Sequence, residues 1–207
     1  MYNWLKSFSQ DLETPLELAV TPATEAELAD VEATLQITLP PSYRAFLQKW
    51  NGGTIESISL LSTAELLTMA RTESGFIPFD GTFRYTYQAF GDPQGYFDTP
   101  TIVSSYGDNP PYTPIYAMKP AHFLGFARSD GYLDLYCFDT SQQVRGEWAV
   151  CFFDHEDSPD QAIATHFSSF AAFLLQQCYD LVEEGYCEPE REGYWINFFT
   201  EKLQQYS

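Results

Sequence analysis

A short segment bounded by two prolines and two glycines constrains the fold of this chain more than any other feature. The segment opens at Pro40-Pro41 and closes on Asn51-Gly52-Gly53. Proline is tolerated in a first helical turn because the N–H groups there lack intrahelical partners, and Asn and Gly accept the left-handed conformation that ends a helix. The apolar residues between these bounds have the i, i+3, i+4, i+7 spacing of one helical face: Tyr43, Phe46, Leu47 and Trp50. The pattern predicts a helix that starts at Leu39-Pro40-Pro41 and ends at the glycines.

A second helix is predicted directly before this one. Thr24 and Glu27 have the spacing of a capping box, in which each side chain covers an unpaired backbone N–H, although Thr21 followed by Pro22 is an alternative start. The next apolar residues share one helical face: Leu28, Val31 and Leu35. Two short helices so close in the chain predict a helical hairpin.

The remaining elements predict an antiparallel sheet with further helices. Alternating or apolar runs predict four strands, at 54–60, 123–127, 132–139 and 147–154, with a polar turn at 140–146. Capping and helical spacing predict the other helices: a short one within 1–20, one from the Ser62 capping box, one from Ser168 or Ser169, and one at 194–206. We therefore expect a single α+β domain over 1–207, with a helical hairpin, a central, mostly antiparallel sheet and a C-terminal helix.

The charge of the chain restricts its partners. Lys and Arg number 10 and Asp and Glu 29, so the net charge is −19. Such a chain repels nucleic-acid phosphates and anionic lipids, and its field favours a basic protein partner. No apolar run is long enough to span a membrane and no signal peptide is recognisable, so we expect a cytoplasmic protein. Cys137 and Cys151 fall on neighbouring predicted strands; we expect buried thiols, with a disulfide as the alternative.

The acidic residues are concentrated near the C-terminus, where residues 154–192 hold ten acids and one base, Arg191. This stretch is interpreted either as a solubilising surface or as one that steers a basic partner. On the second interpretation, the candidate partner-binding residues are acids on each side of the predicted C-terminal helix: Asp154, Glu156, Asp157, Asp160, Glu183 and Glu184.

Catalytic and metal-binding patterns are missing from the sequence. His122, His155 and His166 lack HxH or HxxxH spacing, and no nucleophile elbow or phosphate-binding glycine pattern occurs. The acidic run 154–160 lacks the spacing of a calcium loop. We therefore expect no metal, no cofactor and no enzymatic activity.

Several of these segments together resemble the Smi/Knr-like SUKH superfamily. The likeness lies in the L-P-x-x-Y-x-x-F-L run followed by N-G-G, in an l-G-F strand, in a y-x-f-D strand and in an S-F-x-x-F-L helix. These correspond, in the family's order, to 39–53, 124–126, 135–139 and 169–174. The resemblance covers about 24–178. It leaves an aromatic-rich insertion at 71–121 and a C-terminal extension at 180–207.

The hallmark residues all have a structural explanation, in helix initiation, packing or turning: Leu39, Pro40, Tyr43, Phe46, Leu47, Trp50, Asn51, Gly52 and Gly53. The resemblance thus implies a fold, and fold alone does not define function. Within the family it implies protein binding without catalysis. The expected role is that of a bacterial immunity protein that binds and neutralises a toxin, with a basic nuclease as one candidate; the alternative is a regulatory scaffold with an endogenous protein partner.

Overall fold

The computed structural model describes residues 1–71, 77–79, 82–84, 102–103, 115–116, 123–129, 135–153 and 163–206. The helices in these ranges are α1 (Asn3–Gln10), α2 (Glu25–Leu35), α3 (Pro41–Leu47), α4 (Thr63–Arg71), α5 (Phe170–Glu183) and α6 (Pro189–Leu203). The strands are β1 (Glu17–Leu18), β2 (Gly53–Ile55), β3 (Ile58–Leu60), β4 (Ile77–Phe79), β5 (Thr82–Arg84), β6 (Ile102–Val103), β7 (Ile115–Tyr116), β8 (Phe123–Ser129), β9 (Leu135–Val144), β10 (Glu147–Phe153) and β11 (Ile163–Phe167). Most of the insertion predicted at 71–121 lies outside the described residues.

The main sheet has seven strands in the order β1-β2-β3-β8-β9-β10-β11. Each neighbouring pair in it is antiparallel. Two small antiparallel pairs, β4 with β5 and β6 with β7, complete the described strands. The α+β class with a mainly antiparallel sheet is confirmed.

The helical hairpin is also confirmed, and polar contacts fix the start of each helix and link the two helices. The Glu27 N–H donates to Thr24 Oγ1 at 3.2 Å and the Thr24 N–H donates to Glu27 Oε2 at 2.7 Å, which completes the capping box. Arg44 on α3 donates to the Glu25 carboxylate on α2 at 2.6 Å. The start of α3 is bound to strand β10 of the sheet. The Ser42 N–H and hydroxyl donate to the Glu147 carboxylate at 2.9 and 2.6 Å.

Two of the predicted helix ends were wrong. Helix α3 ends at Leu47, before Trp50 and the glycines, because Gly52 and Gly53 lead into and begin strand β2. The terminal helix α6 begins at Pro189, before the predicted start at residue 194. Proline is compatible with that first helical position for the reason that applies at α3.

Two strand predictions also need correction. The single strand predicted at 54–60 is a hairpin, because Glu56 has a left-handed φ of 50° that turns the chain between Ile55 and Ile58. The turn predicted at 140–146 is largely strand, since β9 continues to Val144. The reversal is confined to Arg145-Gly146, with φ values of 56° and 83°. Strand β11 was not predicted.

The core lies between the sheet and helices α3 and α5. Phe126, Phe138 and Phe170 are fully buried there, with the stacked rings of Phe126 and Phe138 4.2 Å apart. The two ends of the chain add a second aromatic group, in which the Phe8 ring of α1 lies 5.1 Å from both Trp195 and Phe199 of α6. The terminal segments are therefore packed onto each other as part of the same core.

Candidate protein-binding surface

Most of the apolar hallmark residues are buried in the core, and Trp50 is partly buried against it. Tyr43, Phe46 and Leu47 are completely inaccessible to solvent, and Leu39 is 1% exposed. The Tyr43 hydroxyl donates to the Leu61 carbonyl at 3.0 Å, which explains how a tyrosine can be buried at this position. Burial raises the pKa of Tyr43 far above its ordinary value. These side chains support the fold and are not available to a partner.

Asn51 has a role that differs from the predicted helix end. Its side-chain oxygen accepts from the Thr63 N–H at 2.8 Å, and its amide donates to the Thr63 hydroxyl at 3.0 Å. Thr63 is the first residue of α4 and is 2% exposed. Asn51 therefore satisfies polar groups at the start of the next helix, where an unpaired buried donor would be costly.

The structure describes two of the six predicted partner-binding acids, Glu183 and Glu184, and it places both on the surface where α5 ends. Glu183 accepts from the Tyr179 hydroxyl at 2.7 Å. The other four lie outside the described residues: Asp154, Glu156, Asp157 and Asp160.

The chain turns sharply after these two glutamates and brings other segments beside them. Gly185 has a φ of 85°, and the Tyr186 N–H donates to the Leu181 carbonyl at 3.0 Å, which closes the helix. The Tyr186 carbonyl accepts from the Glu13 N–H at 2.9 Å, and its hydroxyl lies 3.4 Å from Glu56 Oε1. The end of α5, the N-terminal segment and the β2–β3 turn thus meet.

We call this group the acidic surface and define it by five exposed residues: Glu13, Glu56, Glu183, Glu184 and Tyr186. Sequence reasoning missed Glu13, Glu56 and Tyr186. The first two belong to the acidic surface only because they contact Tyr186, which is far from them in the sequence. An exposed tyrosine beside consecutive glutamates is the one local signal that points to the site.

The negative charges on the acidic surface repel one another. The C-terminal end of a helix carries a partial negative charge that favours cations, yet the last turn of α5 has no basic residue and includes Glu183. Burial, and to a smaller extent the Glu183 charge, raises the pKa of Asp180 in the same turn. The Glu56 charge is the main cause of the raised pKa of Tyr186. A cation placed here would therefore relieve repulsion that the fold tolerates.

The base nearest in sequence is already committed to a different carboxylate. Arg191 Nε donates to Asp11 Oδ2 at 2.8 Å, and Trp195 Nε1 donates to the same oxygen at 2.9 Å. The Asp11 carbonyl also accepts from the Glu188 N–H at 2.9 Å. Asp11 thereby joins the N-terminal segment to α6, and its carboxylate neutralises the Arg191 charge.

Replacing Asp11 by asparagine should make the fold less stable by about 1 kcal/mol at neutral pH, because the charge that strengthens the Arg191 hydrogen bond is lost. Hydrogen bonds from Arg191 and Trp195 lower the pKa of Asp11 in the folded chain. The stabilisation is therefore present above the ordinary carboxyl pKa and disappears as pH falls through the lowered folded value. Urea unfolding of both proteins across acidic pH checks this. A Asp11→Asn difference that is independent of pH would contradict it.

The cysteines are structural rather than reactive. All four are buried and no disulfide joins them, although Cys137 and Cys151 face each other across β9 and β10. Burial raises the pKa of Cys137 and of Cys178, which disfavours the nucleophilic thiolate. The prediction of buried thiols is confirmed.

Other site types find no support in the ranges that the structure covers. No group of three or more His, Cys, Asp or Glu side chains there is arranged to hold a metal ion. His166 is exposed on β11, whereas His122 and His155 fall outside these ranges. Among the helices of the described part, none has the length and apolar character needed to cross a bilayer.

Comparison with known proteins agrees with the fold. The profile of the SMI1 / KNR4 family (SUKH-1) matches residues 22–176, about three quarters of the chain. Among curated proteins, none matches at a significant level. The matched range includes the helical hairpin, β2, β3, most of the sheet and the first half of α5, and it excludes α1, β1 and α6. The chain belongs to the SMI1 / KNR4 family (SUKH-1).

Proposed function

We propose that this chain is a bacterial immunity protein that binds a toxin and neutralises it without catalysis. Its family includes immunity proteins and cell-wall regulators, and its domains often bind protein partners. The observation that carries the proposal is the acidic surface, where glutamate residues from three separate segments meet at an exposed tyrosine at the negative end of α5.

The chemistry of that surface favours a basic partner. A lysine or arginine placed beside Glu183 and Glu184 gains from both carboxylates and from the α5 dipole, and it meets no competing base in the last turn of the helix. Tyr186 is 41% exposed and provides an amphipathic ring of the kind enriched at interface hot spots. Many toxins that act on nucleic acids have a basic substrate-binding surface, because they must hold phosphates. Occupation of such a surface by this chain would prevent the toxin from binding its substrate.

The proposal predicts stoichiometric capture of a toxin encoded beside this gene. The purified chain should bind one copy of that toxin in isothermal titration calorimetry, and toxin activity should disappear at equimolar chain. A chain with Glu183→Lys and Glu184→Lys should restore most of that activity at the same concentration, because two attractive charges become repulsive.

Two results would argue against this function. Failure of every neighbouring gene product to bind would remove the immunity role. Capture of an endogenous protein that lacks toxic activity would instead support the alternative of a regulatory scaffold, with the same surface in use.

A further inference from the structure

The two ends of the main sheet differ in how well their backbones are protected. At one end, β1 has only two residues and one of them is charged, Glu17. At the other end, β11 has five residues, Ile163-Ala-Thr-His-Phe167, and pairs with β10 alone among the described strands. Natural proteins usually protect a sheet edge with short strands, charged residues or proline, because unpaired N–H and C=O groups invite another strand. β11 has neither charge nor proline.

β11 is paired on one side and packs against the core. Its residues pair with Val150 to Phe153 of β10, and the Phe167 ring packs 5.6 Å from the Phe173 ring on α5. His166 on the same strand is exposed. A strand that is already ordered by its pairing with a neighbour loses little conformational entropy when a further strand pairs with it.

We infer that the edge of β11 receives an extended, positively charged segment of the protein partner, which pairs as an additional strand. Strand addition to an open edge is a common mode of peptide recognition, with affinity from main-chain hydrogen bonds. This inference rests on the proposed function, and it names how the partner is bound.

The charge of the chain selects this occupant over a second copy of itself. The net charge is −19, so two copies repel each other, whereas a basic segment is attracted.

Backbone hydrogen exchange tests the site with a defined probe. The probe is a short, end-blocked peptide of alternating Lys and Val, added to the full chain, and exchange is followed residue by residue with NMR. The β11 amides that point away from β10 should exchange about tenfold more slowly with the peptide. A peptide of alternating Glu and Val, and a Lys-Val peptide with methylated backbone nitrogens, should leave them unchanged.

A matched pair of variants tests the charge preference at the same edge. His166→Lys should weaken binding of the Lys-Val peptide about threefold, and His166→Glu should leave binding equal or tighter. Because His166 is exposed, neither change should disturb folding.

Three outcomes would overturn the inference. The outward β11 amides could be protected in the isolated chain as strongly as those of β10, which would mean that the edge is already covered. The Lys-Val peptide could bind without slowing them. Protection could also grow with chain concentration alone, which would make a second copy the occupant. A captured toxin that leaves β11 exchange unchanged would reject this binding mode while the proposed function stands, and failure to capture any toxin would reject the function without affecting the peptide result.

Discussion

Replacing Gly53 by alanine should cost at least about 3 kcal/mol of unfolding free energy, since backbone strain and a backbone clash add together. Gly53 has a φ of 137°, which side chains rarely adopt. A Cβ at this position would lie 2.6 Å from the Glu17 carbonyl oxygen and 2.7 Å from Leu18 Cα. Both contacts are with the backbone of β1, so relief requires β1 to leave the sheet edge.

Gly185 provides the matched control for this change. Its φ is also positive, at 85°, but within the described part of the chain no atom beyond its two sequence neighbours lies within 4 Å of the position that a Cβ would occupy. Gly185→Ala should therefore cost about 1 kcal/mol, the expense of the left-handed backbone alone. Urea denaturation followed by circular dichroism measures both. Equal losses in the two variants would contradict the claim that close approach of β1 requires glycine at position 53.

This result would show why the chain needs glycine at position 53, a reason that is not visible in the sequence. Gly53 lies inside the family match and β1 lies before it. The second glycine therefore admits an edge strand that the N-terminal segment supplies. The first, Gly52, is similarly close to β3, since a Cβ there would lie 3.0 Å from the Leu60 carbonyl oxygen.

Association with the partner should slow about a hundredfold when the salt concentration rises from about 0.02 M to about 0.5 M. The net charge of −19 and the carboxylates of the acidic surface attract a basic partner over long distances. Salt shortens the range of that attraction, whereas short contacts around Tyr186 are screened much less, so the dissociation rate should change far less. Stopped-flow mixing at several salt concentrations measures the association rate. A rate that does not depend on salt would remove electrostatic steering from the account and leave binding itself intact.

Local signals in the sequence were sufficient for the helical hairpin. The Thr24–Glu27 capping box and the prolines before α3 act within one helical turn, so their effect can be read without the rest of the chain. The predicted end of α3 was wrong because glycines with positive φ occur at turns that lie beyond a helix as well as at helix ends. The actual constraint on Gly52 and Gly53, the approach of β1 and β3, is set by residues far away in the sequence.

The candidate site was predictable in part. The run of acids near the C-terminus pointed to Glu183 and Glu184, and both are exposed where α5 ends. Glu13 and Glu56 could not be found in this way, since they reach Tyr186 through tertiary hydrogen bonds. The hairpin turn at Glu56 has neither Gly nor Asn, the residues that usually reveal a left-handed turn.

The most direct test of the acidic surface compares charge reversals of two exposed glutamates, Glu184 and Glu201, the second of which lies 3.9 Å from Lys202 Nζ. Glu184→Lys and Glu201→Lys each change the net charge from −19 to −17, and both residues are exposed at the ends of helices, where lysine is favourable to the dipole. Glu201 lies toward the far end of α6, where the Tyr206 carbonyl meets Ser168 at the start of α5.

Measurement of association rates with the captured toxin at low salt decides the question. Our account predicts that Glu184→Lys slows association about tenfold, whereas Glu201→Lys changes it less than about twofold. Equal slowing by the two variants would show that only the total charge matters, and it would contradict a binding site at the end of α5.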